Sequence, residues 1–130
     1  LREMPMPIVP KECHDISWDD GLGRKSGADP YLVFGLPRTA FVYGIRLTYV
    51  VEHLKGSAPI RVSWSRTDRH EVAVAESSLL LNVETAKEQV TTIPVNDSID
   101  RYRIELDSPT SSIRISKIML ILPPPLTVQR

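Results

Sequence analysis

The sequence predicts an all-β domain: an antiparallel β-sandwich or jelly roll of about eight or nine strands. Two observations carry this prediction. The first is an apolar period of two that recurs in separate segments. Tyr43, Ile45, Leu47, Tyr49 and Val51 share one phase, with Arg46, Thr48 and Glu52 in the other. Ile60, Val62 and Trp64 alternate with Arg61, Ser63 and Ser65, and Tyr102, Ile104 and Leu106 alternate with Arg101, Arg103 and Glu105. Successive side chains of a strand point to opposite faces, so each pattern describes a strand with one buried and one solvated face. The second observation is the chemistry of the connections. Gly56-Ser57-Ala58-Pro59, Asn96-Asp97-Ser98 and Asp107-Ser108-Pro109 are all turn-forming.

Taken in order, Pro5, Pro7 and Pro10 make residues 1–12 a linker or an edge tail, because proline lacks the N–H that a central strand needs. Residues 13–122 form the sandwich, and residues 123–130, opening on Pro123-Pro124-Pro125, form a C-terminal tail. A short strand is expected through Cys13–Trp18, with others at Tyr31–Leu36, Val72–Ala75, Leu79–Glu84, Gln89–Val95 and Ser112–Leu122. In the last of these, Ile113 and Ile115 alternate in one phase, then Ile118, Leu120 and Leu122 take up the other. One extra residue near Ser116-Lys117, a β-bulge, explains the switch; burial of both faces after Lys117 explains it equally well. Helical patterning is weak throughout.

Composition narrows the function classes. Hydrophobic residues make up 42% and charged residues 25%, which places the chain with folded globular domains rather than disordered ones. Sixteen basic residues balance sixteen acidic ones, so no global charge calls for a nucleic acid or an anionic membrane. Cys13 is the single cysteine, which rules out an intramolecular disulfide and a cysteine-built metal site. The chain opens Leu-Arg-Glu-Met-Pro, like a piece of a longer polypeptide. The apolar run Ile118–Leu122 is too short to span a bilayer, so no membrane insertion by this segment is expected.

Three stretches together resemble a known group. They are Gly27-Ala28-Asp29-Pro30-Tyr31-Leu32-Val33-Phe34, then Tyr43-Gly44-Ile45-Arg46-Leu47, then Arg103-Ile104-Glu105-Leu106 running into Ser112-Ile113-Arg114-Ile115. In this order they resemble the galactose-binding-like jelly rolls appended to bacterial glycosidases, glycosyltransferases and surface proteins. The resemblance spans roughly Trp18–Leu122 and implies a non-catalytic accessory domain, carbohydrate-associated and extracytoplasmic, within a larger protein. It implies a glycan partner and no cofactor. A structural or protein-interaction module without glycan binding is the alternative, since one sandwich hosts many functions. The sequence departs from sugar-binding members in having only two Trp and two Phe, with no evident exposed aromatic pair. Trp18, Tyr31, Phe41 and Tyr43 are the aromatics near loops.

The chemistry-bearing residues are few. Cys13-His14-Asp15 is not a nucleophile motif, because neighbours on a strand face opposite ways; a small buried thiol beside a surface histidine is expected. The three histidines have no metal-ligand spacing. Asp19-Asp20-Gly21 lacks the alternate carboxylates of a calcium loop and reads as a turn. Trp64 shares the core phase, and Trp18 is expected to cap the sandwich. Arg66, Asp68, Arg69 and His70 are the candidate ligand residues. They belong to the densest polar cluster, follow the buried Trp64 and supply both donors and acceptors. If every connection reverses the chain, they share one end of the sandwich with loops 37–40, 85–88 and 107–111, opposite loops 19–30, 53–58, 76–78 and 96–100.

Overall fold

The computed structural model describes residues 1–53, 57–67, 77–84, 86–107 and 110–125. Nine antiparallel strands make up the described elements: β1 (Arg2–Pro5), β2 (Glu12–His14), β3 (Ile16–Asp19), β4 (Leu22–Lys25), β5 (Tyr31–His53), β6 (Ser57–Ser65), β7 (Ser77–Glu84), β8 (Gln89–Leu106) and β9 (Thr110–Leu122). Hydrogen bonding links them in the order β3-β4-β9-β5-β8-β6-β7, with β1 added to β9 and β2 to β5. The expected strand at Val72–Ala75 lies outside the described residues.

Two strands are far longer than the alternation predicts, and they build the sandwich. The segments 31–36 and 43–51 are one strand, β5, and the segments 89–95 and 101–106 are one strand, β8. They pair along nearly their whole length, with register shifts between Gly35 and Ala40 and between Val42 and Gly44. At these bulges both strands pass from one layer to the other, as corner strands do in sandwiches. The first half of β5 and the second half of β8 form one layer with β2, β6 and β7; the remaining halves form the other with β9, β1, β4 and β3. Asn96-Asp97-Ser98 is therefore no chain reversal. Asn96 takes a left-handed φ of 49°, where asparagine is tolerated, and supplies the irregularity without turning the strand back. This corrects the two-ended sorting of loops, because residues 37–40 and 96–100 lie within paired strands at the corner.

One core fills the space between the layers. Leu32, Phe34, Ile60, Val62, Tyr102 and Ile104 meet Ile45, Leu47, Val51, Ile93, Ile113 and Leu120. Phe34 stacks on Tyr102 at 5.2 Å, and Trp18 meets the edge of Phe34 at 6.2 Å, closing the margin of the core as a cap. In β9 the pairing jumps from Thr48↔Lys117 to Tyr49↔Ile115, so Ser116 is the extra residue and the phase switch is a bulge. Ile113, Ile115, Ile118, Leu120 and Leu122 all remain buried.

Asp20 and Gly21 form the two-residue turn between β3 and β4, with φ of 45° and 87°. Positive φ at both positions gives the turn whose twist matches a hairpin. The carbonyl of Gly21 accepts from the Ile115 amide at 2.8 Å, which fixes this hairpin against β9.

Candidate functional site

The outer face of the β2-β5-β8-β6 layer carries a polar surface with a cleft. Register explains its composition. Tyr31 lies opposite Glu105, which lies opposite Arg61; Val33, Arg103 and Ser63 form the next row, and Gly35, Arg101 and Ser65 the third. Their neighbours along each strand, including Leu32, Phe34, Tyr102 and Ile104, point into the core. On the far side, β2 adds Glu12 beside Val33 and His14 beside Tyr31. The surface dips into a cleft of about 230 Å³ bordered by Glu12, Tyr31, Val33, Ser63, Ser65, Arg101 and Arg103. Ser63 and Ser65 are each only 5% exposed, although the alternation predicts a solvated face for them. The register explains the discrepancy: each short serine pairs with a long arginine on β8, so both lie below the level of the surface.

The arginines are held in place. Arg101 donates from Nε to Ser65 Oγ at 2.8 Å. The Nε of Arg103 lies 2.8 Å from Glu105 Oε1, and its guanidinium sits 3.6 Å from the centre of the Tyr31 ring. His14 stacks on the same ring, with centroids 4.6 Å apart and planes inclined by 9°. Because β2 and β8 flank β5 on opposite sides, Tyr31 is sandwiched between an imidazole and a guanidinium. At the end of β6, the amide and hydroxyl of Thr67 donate to the Asp100 carboxylate, the amide at 3.1 Å, which ties this strand end to β8.

Of the predicted ligand residues, Arg66 follows directly on β6 and is half-buried next to the cleft residue Ser65. Asp68, Arg69 and His70 lie outside the described residues. Sequence reasoning missed Arg101, Arg103, Ser63 and Ser65 because Arg-x-Arg and Ser-x-Ser on alternating strands look like ordinary solvated faces. Only the pairing of β6 with β8 brings the two sets together.

Two other expectations need correction. Cys13 is exposed rather than buried, because β2 is a three-residue edge strand. Partial burial, with Glu12 adding to it, pushes its thiol pKa up, which disfavours the reactive thiolate. The absence of an exposed aromatic pair is also overturned. Phe41 and Tyr43 are 43% and 37% exposed and meet edge to face at 5.4 Å. Tyr43 leaves the core phase of Ile45 and Leu47 because the register shift between Val42 and Gly44 intervenes.

His14 anchors the loop that enters β5. Its Nδ1 donates to the Asp29 carbonyl at 2.8 Å, while the Asp15 carboxylate accepts from the Asp29 amide at 2.9 Å and the Asp15 carbonyl from the Ser26 amide at 2.7 Å. The bond to Asp29 raises the His14 pKa, desolvation opposes it, and Asp15, Asp29 and Glu12 add to the rise. A folded-state pKa above the unfolded value means stability present below the unfolded histidine pKa, about 6.5, and lost as pH rises through the folded one. The thermal midpoint of the wild type, compared with His14→Gln, is therefore expected to show its largest advantage in mild acid. An advantage that grows toward alkaline pH would show that this contact does not stabilise the protonated ring.

No protein-family model matches the sequence, and no curated protein matches it. Solved structures do match. A structure of carbohydrate-binding module family 29 aligns with a TM-score of 0.62 at 11% identity, covering 92% of this chain and 89% of that one. The low-affinity xylan-binding module CBM86 from Roseburia intestinalis aligns with a TM-score of 0.59 at 12% identity, covering 94% and 96%. The chain thus shares the jelly-roll sandwich fold of these two modules. A chain in the crystal structure of reduced XRCC1 bound to the DNA polymerase β catalytic domain shares it equally well. Its TM-score is 0.61 at 13% identity, covering 92% of this chain and all of that one. Fold alone thus leaves the ligand open. Among the described residues, no helix is long and apolar enough to cross a membrane.

Proposed function

We propose that this chain is a non-catalytic accessory domain that binds a glycan and belongs to a larger extracytoplasmic bacterial protein. The observation that supports it is a polar cleft on the outer face of one layer, in the fold that carbohydrate-binding modules use. At about 230 Å³ the cleft is smaller than a typical small-molecule pocket of roughly 300–1,000 Å³, which suits one or two sugar units of a chain lying across the face. The segment that continues from Ser65 carries Arg66, Asp68, Arg69 and His70, which we assign as donors and acceptors at one end of the bound chain. Affinity is weak, because each sugar hydroxyl exchanges bonds with water for bonds with protein at little net gain.

Chemical-shift mapping with a panel of neutral and acidic oligosaccharides tests the proposal. Binding is expected to move the amide signals of residues 63–70 and 101–103 and to leave β9 unmoved. If no oligosaccharide moves them while a protein partner does, the domain is a docking module instead. The exposed Phe41–Tyr43 pair is the surface that favours that second reading.

A further inference from the structure

We infer that the cleft selects a carboxylated sugar chain, a hexuronate polymer, whose carboxylates pair with Arg101 and Arg103; this rests on the glycan reading above. Neutral sugars bind proteins largely by laying the apolar face of a pyranose on an open aromatic ring. Of the aromatic residues bordering this cleft, Trp64 and Tyr102 are buried in the core, and the half-buried Tyr31 has neither face open. His14 covers one and Arg103 the other. A sugar approaching this surface meets side-chain edges and a guanidinium rather than a π face.

The balance of donors and acceptors points the same way. Neutral hydroxyls both donate and accept, so a wall that binds them mixes the two kinds of partner. Here Arg101 and Arg103 are donors only, while Ser63 and Ser65 add hydroxyls between them. Against these two stands one bordering carboxylate, Glu12, on the β2 side. Glu105, paired with Arg103, lies with Arg61 at a neighbouring depression. The surplus is cationic and lies on the β8-β6 side, and a group that only accepts is its complement.

The arginines are also set in position before any ligand arrives. Arg101 is held by the hydrogen bond from its Nε to Ser65, and Arg103 by its ion pair with Glu105, a contact whose geometry is not that of a hydrogen bond, and by its seat on the Tyr31 ring. Among the described residues, neither arginine's terminal nitrogens have a partner. Arg101 thus has its stem side fixed and Arg103 its face, and the terminal nitrogens of both are left for bidentate carboxylate recognition. Holding the side chains in advance removes part of the entropy cost of binding.

The test titrates the 130-residue chain with tetragalacturonate, its methyl ester, xylotetraose and polyglutamate, using chemical shifts and calorimetry. Tetragalacturonate is expected to bind about tenfold or more tightly than its neutral ester, with affinity falling as salt rises. Arg101→Gln is expected to lose most of that preference, while Arg101→Lys, which keeps the charge but not the fork, loses part of it. Both variants are checked for an unchanged amide spectrum outside the cleft. If xylotetraose or the ester binds as tightly as the acid, the carboxylate inference falls and the glycan reading stands. Equal binding of polyglutamate overturns it too, since charge without sugar would then suffice. If none of the three oligosaccharides binds, the glycan reading fails and takes the inference with it.

Discussion

Replacing Trp64 with alanine is expected to destabilise the domain by about 3–5 kcal/mol, the range for truncating a large aromatic in a packed core. Trp64 is 6% exposed on β6, opposite Ser77 of β7 and Tyr102 of β8, and belongs to the one core cluster. Its Nε1–H is buried and has no hydrogen-bond partner among the described residues. Removing the ring also removes that unsatisfied donor, which offsets part of the loss and places the expected value toward the lower end. Denaturant unfolding at an unchanged m-value measures it. A loss under about 1 kcal/mol, the scale of an ordinary surface change, would show that the indole contributes little to the core.

Gly21→Ala is expected to cost about 2–4 kcal/mol, a large effect for adding one methyl group. The φ of 87° lies where side chains with a Cβ are strained, and a Cβ there would sit 2.8 Å from the carbonyl oxygen of Ile115. That oxygen belongs to backbone and cannot rotate away as a side chain would. The neighbouring Asp20 also has positive φ but already carries a side chain, so Asp20→Asn should be nearly neutral by the same measurement. Loss of stability in Gly21→Ala no larger than in Asp20→Asn would contradict the close approach of this turn to β9.

Much of the fold was legible because period-two alternation is a local property that tertiary pairing preserves. The core residues Ile45, Leu47, Ile60, Val62 and Ile104 were identifiable from their phase alone, and the bulge in β9 from a break in phase. What was hidden is the continuity of β5 and β8. Asn96-Asp97-Ser98 has turn chemistry, yet a single left-handed residue can bulge a strand as readily as reverse it, and the choice depends on the partner strand. The same bulge region carried Tyr43 out of the core phase. The cleft was hidden for a related reason. Its residues come from β2, β5, β6 and β8, and their meeting is set by register, which sequence spacing does not encode.

The pairing of β1 with β9 has a mechanical consequence. Arg2 lies opposite Leu122, so the chain enters and leaves the sandwich on adjacent strands, within about 5.5 Å of each other. A domain arranged this way adds almost no length to a polypeptide that contains it; it hangs from the main path as a side branch. Tension applied through residues 2 and 122 would not shear the ladder, which would load all its hydrogen bonds together. It would peel β1 from β9 one rung at a time, from Arg2↔Leu122 toward Pro5↔Met119. The ion pair of Glu3 with Arg46, at 2.6 Å, is the first side-chain contact on that line to be strained. A pull through these two residues therefore yields first at the β1–β9 ladder, leaving the cleft on the opposite layer undisturbed.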